Sequence, residues 1–117
     1  MKPKLLMLRG LPASGKSTYA QELVEKGWKR VNKDDLRSMI DGGKWSGKNE
    51  ETIRDMEELL VDEFLSNNFN VVVDDTNFAY EEYWKNRAEL HKADFEVKFF
   101  DIPINDCIAR DAIRGEK

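Results

Sequence analysis

The sequence predicts an α/β domain: a parallel sheet of about four strands with helices on both faces. Three observations predict it. Short apolar runs alternate with amphipathic stretches of helical period. The run at residues 4–9, KLLMLR, is nearly continuous and closed by glycine, as in a central strand buried on both faces. A glycine-rich stretch, GLPASGKST at residues 10–18, then separates that strand from the first helix.

The other elements follow in order. Ala20, Leu23 and Val24 fall at helical spacing within residues 17–26, and Gly27 stands where a helix is C-capped. WKRVN at 28–32 is a short second strand, and DDLRSMI opens a helix with two acids in its first turn. DGGKWSGK at 41–48 is a loop. Between Asn49 and Leu65, Ile53, Met56, Leu59, Leu60 and Phe64 form an apolar stripe, while Glu50, Glu51, Asp55, Glu58 and Asp62 form an acidic face read as solvated. FNVVVDDTN at 69–77 is a buried strand ending in two aspartates. Residues 80–90 are helical, DFEVKFFDI at 94–102 is a further strand, and Asn105 N-caps a last helix through Arg114.

The chain of 117 residues is one domain, burying roughly 65% of the surface its unfolded form exposes. No apolar run approaches the ~20 residues a bilayer crossing needs, so no membrane span is expected. The N-terminus, with two lysines before a short apolar stretch, reads as a strand of a cytoplasmic protein rather than a signal peptide. Cys107 is the one cysteine, so no intrachain disulfide forms; His91 is the one histidine, expected at the surface and without partners for a metal site. A formal charge of −4 gives no global attraction to nucleic acid, so a polyanion must be held by a local basic patch.

The chemistry begins with Gly10, Gly15, Lys16 and Ser17, which satisfy G-x-x-x-x-G-K-[ST] between a strand and a helix. In that setting the backbone N–H groups of the loop cradle the β-phosphate of ATP, Lys16 neutralises β- and γ-oxygens, and Ser17 ligates Mg²⁺. The nucleotide-binding residues are thus Gly10, Leu11, Pro12, Ala13, Ser14, Gly15, Lys16, Ser17 and Thr18. Transfer of the phosphoryl to water would make the chain an ATPase or GTPase, and transfer to a hydroxyl a kinase. Asn32-Lys33-Asp34-Asp35 spells a guanine-recognition string, but it follows the second strand and lies close to the γ-phosphate instead of following a late strand. Acceptor chemistry suits that place: Asp34 takes a proton from an incoming hydroxyl, and Arg37, one turn on, holds an acceptor anion. Helix capping by the Asp pair is the structural alternative. Val71–Val73 before Asp74 and Asp75 has the pattern of a Walker B strand, in which either aspartate can serve Mg²⁺. Arg110 and Arg114 share a helix face, from which they can close over the triphosphate.

GLPASGKST, VNKDDLR, DDTN and a basic helix running into RG, in this order and spacing, resemble the kinase domains of bacteriophage polynucleotide 5′-kinases over nearly the whole chain. The resemblance implies a P-loop kinase fold and transfer of the γ-phosphoryl of ATP to the 5′-hydroxyl of DNA or RNA. It makes Asp34 the general base, Lys16 and Ser17 the ligands of ATP phosphates and Mg²⁺, and Arg37 the acceptor-phosphate arginine. It puts Asp75, Thr76 and Asn77 on the acceptor side and makes Arg114 a catalytic lid arginine; Mg²⁺ is expected to be held through Ser17 and indirectly by Asp75. Against that family, residues 1–117 are expected to form a domain whose lid, fifth strand and closing helix are incomplete, in a protein cytoplasmic in its host cell if phage-encoded. The fourth strand, with Val97, Phe99 and Phe100, is then an edge through which copies can pair. The competing readings are a small-metabolite or nucleoside kinase of similar fold and a nucleotide-binding module without turnover.

Overall fold

In the computed structural model of the chain, the described residues are 2–11, 13–44 and 46–100. They form β1 (Lys4–Arg9), α1 (Lys16–Glu25), β2 (Lys29–Val31), α2 (Lys33–Asp41), α3 (Gly47–Ser66), β3 (Val71–Asp74), α4 (Glu81–Leu90) and β4 (Asp94–Phe99). All pairings are parallel and the strand order is β2-β3-β1-β4, so the apolar run at the start of the chain is central, as predicted. Pro12, Cys107, Arg110, Arg114 and the helix expected from Asn105 lie outside the described residues.

Strand alternation divides the core into two layers. Leu5, Met7, Val31, Val71 and Val73 face Val61 and Leu65 of α3 and Trp84 and Ala88 of α4. Leu6, Leu8 and Val72 face Ala20 and Leu23 of α1. Leu5, Met7 and Leu8 are fully buried, each contributing about 1.5–3 kcal/mol over exposure. No described helix is long and apolar enough to cross a membrane.

Two helical details differ from the sequence reading. The buried line of α3 is Ile53, Glu57, Val61 and Leu65, at a spacing of four, whereas Met56 and Leu59 are exposed. The cause is the phase at which α3 meets the sheet, which brings a glutamate into the core and turns two apolar residues out. The acidic face of α3 is also only partly solvated: Glu58 and Asp62 pair with Arg87 of α4, and Asp62 takes a contact from His91 at 2.8 Å. His91 is therefore a half-buried bridging residue between α4 and α3, not the surface histidine expected. Gly27 follows the Lys26 cap with φ +97°, the left-handed turn its position after α1 implied.

Candidate active site

The glycine-rich stretch crosses from the carboxyl end of β1 into α1 through left-handed backbone at Ala13 (φ 63°) and Gly15 (φ 101°). Gly15 is the N-cap of α1 and no side chain caps it, so the helix presents its first N–H groups and its positive dipole end outward. A Cβ on Gly10 would meet the Cβ and the backbone carbonyl oxygen of Phe100 at 3.0 Å, so glycine lets the loop pass close to the end of β4. Gly10 N–H donates to the Thr76 carbonyl at 3.2 Å, tying the loop to the segment after β3. Beneath the loop lies a cavity of about 110 Å³, walled by Lys16, Ser17 and Thr18 on one side and by Asn32, Asp34, Asp74, Asp75 and Thr76 on the other.

With no nucleotide bound, the phosphate-binding role predicts a solvent-facing Lys16. It is buried instead, with Nζ donating to the Leu11 carbonyl at 2.9 Å, because the loop curls round its own lysine. The ammonium is held at the cavity wall.

The turn between β2 and α2 is built by Asn32. Its Oδ1 accepts the Asp35 N–H at 2.8 Å and its Nδ2 donates to the Asp74 carbonyl, so it caps α2 and fastens that helix to β3. Asp35 is held by Arg30, whose Nε also donates to Asp74 Oδ2 at 2.8 Å. Capping by the Asp pair is thereby excluded. Asp34 is left with an 87% exposed side chain, steadied by Arg37 Nη1. Arg37 in turn gives Nε and Nη2 to the two oxygens of Glu50 on α3, a pairing that holds the Glu50 carboxyl below its usual range. Glu50 is thus a clamp on Arg37 and not part of a solvated face. With three N–H groups used, Arg37 keeps two for a ligand.

A second cavity, of about 270 Å³, opens on the α3/α4 side of the sheet between Lys33, Arg37, Glu50 and Tyr80. Asp34, Asp75 and Thr76 line both cavities, so they stand on the wall between them. Asn77 lies deeper: it is buried at φ 58°, and its Nδ2 donates to the Leu8 carbonyl at 2.7 Å, joining the ends of β1 and β3. Its amide nitrogen braces the wall; its Oδ1 is buried without a protein partner.

Behind the wall sits a residue the sequence reading missed. Glu57 is fully buried and neither carboxylate oxygen meets a fixed donor; Lys33 Nζ is 3.8 Å away. Burial, reinforced by the neighbouring Asp75 carboxyl, pushes Glu57 up to about 10, and burial also raises Asp75. Asp75 is half-buried overall, but its Oδ2 is fully enclosed and lacks a fixed donor, while Oδ1 accepts the Lys33 N–H at 2.9 Å. A proton kept on Glu57 gives Asp75 Oδ2 the donor it otherwise lacks. The spacing of Ile53, Glu57, Val61 and Leu65 was the signal that would have found it.

The residues fit a magnesium nucleotide. Asp74 is buried with Oδ1 unpartnered beside the cavity beneath the loop, and hydroxyl and carboxylate oxygens are the donors a hard divalent ion takes. Among the described residues no three His, Cys, Asp or Glu side chains cluster into a metal cage.

The profile of the AAA domain family matches residues 5–117. The chain is 31% identical over 123 residues to the L-seryl-tRNA(Sec) kinase of Methanococcus maripaludis, covering 97% of this chain and 47% of that protein. It is also 31% identical over 133 residues to the putative bifunctional polynucleotide kinase/RNA ligase of Autographa californica nuclear polyhedrosis virus, covering 97% of this chain and 18% of that one. A chain in the Pnkp1/Rnl/Hen1 RNA repair complex superposes with a TM-score of 0.83 at 36% identity, over 98% of this chain and 38% of that chain. The chain thus spans less than half the length of each of these relatives.

Proposed function

The chain belongs to the AAA domain family, and from that premise and the two joined cavities we infer that residues 1–117 form an ATP-dependent kinase domain acting on the 5′-hydroxyl of a polynucleotide. One observation carries the reading: Asp34 stands on the wall between the cavity beneath the loop and a roomier one that contains Arg37. A hydrolase needs only the first cavity and a water; a kinase needs room for an acceptor.

In this reading the loop N–H groups and Lys16 hold the polyphosphate, and Lys16 moves from the Leu11 carbonyl to the γ-oxygens. Asp34 accepts the proton of the incoming hydroxyl, its carboxylate aimed by Arg37 Nη1. Arg37 offers its two remaining N–H groups to the acceptor's first internucleotide phosphate. Asp75 and Thr76 form the divide across which the phosphoryl passes. Ser17, with Asp74 or Asp75, would hold Mg²⁺, which when bound neutralises phosphate charge. Arg110 and Arg114 are the proposed lid arginines.

The competing reading, a hydroxyl on another class of acceptor, is favoured by the equal identity to the L-seryl-tRNA(Sec) kinase. The test offers γ-labelled ATP with a 5′-hydroxyl oligonucleotide, a nucleoside, free serine or a seryl-tRNA. Label on the oligonucleotide alone supports the proposal. Label on seryl-tRNA or a small hydroxyl in preference to the oligonucleotide overturns it.

A further inference from the structure

We propose that Arg9, Phe78 and Phe99 form a stacking platform for an unpaired nucleobase of the acceptor strand, beside the cavity that takes its 5′ end. The proposal rests on the polynucleotide reading above and specifies how the strand is held. Arg9 ends β1, Phe99 is its register partner at the end of β4, and Phe78 follows Asn77. Arg9 Cζ lies 5.6 Å from the centroid of each ring. Both rings are exposed, Phe78 by 51% and Phe99 by 60%.

Arg9 differs from its counterparts. The other half-buried arginines among the described residues, Arg30, Arg37 and Arg87, each pair with two carboxylates. Arg9 has two phenylalanine faces and no acidic partner among the described residues. Exposed rings beside an arginine are what single-stranded nucleic acid binds: bases stack on the rings and the guanidinium meets the backbone.

Position selects the acceptor and not the adenine of ATP. Gly10, next to Arg9, is bonded to Thr76, and Thr76 and Asn77 line the acceptor-side cavity just before Phe78. Phe99 shares the strand face of Phe95 and Val97, which pack on the α3/α4 side where that cavity opens. The neighbouring Phe100 turns to the opposite face, against the phosphate loop and Tyr19 of α1.

The test measures binding and transfer separately, using the full chain and a 3′-labelled, 5′-hydroxyl single-stranded oligonucleotide, either intact or abasic at one of its first few nucleotides. Wild type is expected to lose roughly five- to a hundredfold in affinity when one particular base is removed. Phe78→Ala is expected to show that loss on the intact strand and no further loss on that abasic strand, while Phe78→Trp keeps wild-type affinity. Equal losses for Phe78→Ala on intact and abasic strands, unchanged affinity, or failure of Phe78→Trp to retain binding overturns the platform. Absence of wild-type binding overturns the platform and the polynucleotide reading together. Base-dependent binding without phosphoryl transfer supports the platform and counts against the kinase reading alone.

Discussion

Replacing Glu57 by glutamine is expected to flatten the pH dependence of folding stability. The buried carboxyl is raised from 4.5 to about 10, by burial first and by Asp75 second. Through that window the folded chain keeps a proton that the unfolded chain releases at its lower end. The native state therefore binds more protons, and the stability this group confers is fully present below the unfolded value and declines as pH rises toward the folded one. The decline is about 1.4 kcal/mol per pH unit for one proton, hence about 2.7 kcal/mol from about pH 6 to about pH 8. Glutamine has the same shape and a permanent N–H donor for Asp75, and does not titrate. The upward shift of Asp75, caused mainly by burial, is present in both chains and largely cancels in the comparison. Urea unfolding at the two pH values is the assay. With a slope of about 1–3 kcal/mol per molar, the midpoint of the variant should gain about 1–3 M on wild type between the lower and the higher pH. Parallel pH dependences for the two chains would refute the assignment of a buried, protonated Glu57.

Lys16→Ala is expected to abolish turnover while leaving the apo domain folded, as measured by urea unfolding beside an activity assay. Asp34→Asn should slow single-turnover transfer by about 10²–10⁴-fold with ATP affinity and stability unchanged, since Asn32 caps α2; a variant retaining most of its rate would remove Asp34 from catalysis. Arg37→Ala should cost roughly ten- to a hundredfold in kcat/KM on a nucleoside 3′-phosphate, the loss of a charge-assisted contact, and scarcely alter the poor use of a bare nucleoside. Equal losses on both would place Arg37 on ATP or on folding.

The sheet was legible because β1 and β3 are buried on both faces and so are written as unbroken apolar runs, and because the phosphate loop needs its glycines and lysine at fixed spacing. Local signals such as Gly27 after α1 and the acids opening α2 were legible for the same reason: their physics spans a few residues. What escaped depends on contacts between distant segments. Nothing local separates Glu50, which clamps Arg37 from thirteen residues away, from the exposed Glu51 beside it. Glu57 broke the apolar pattern of α3, and so the stripe was assigned through Met56 and Leu59, which the sheet leaves exposed. Asn32 looked like part of a nucleotide-recognition string because its reach across to the Asp74 carbonyl is invisible until β2 and β3 are paired.

The central claim concerns the destination of the γ-phosphoryl, and single-turnover transfer from γ-labelled ATP measures it directly. Enzyme in excess over nucleotide is mixed with a 5′-hydroxyl oligonucleotide or with the same strand already bearing a 5′-phosphate, and label is partitioned between strand and free phosphate. A kinase with Asp34 on the wall between the two cavities should put nearly all label on the 5′ end of the first strand and none on the second. Label released as free phosphate at the same rate with either strand would contradict the claim and make water the acceptor.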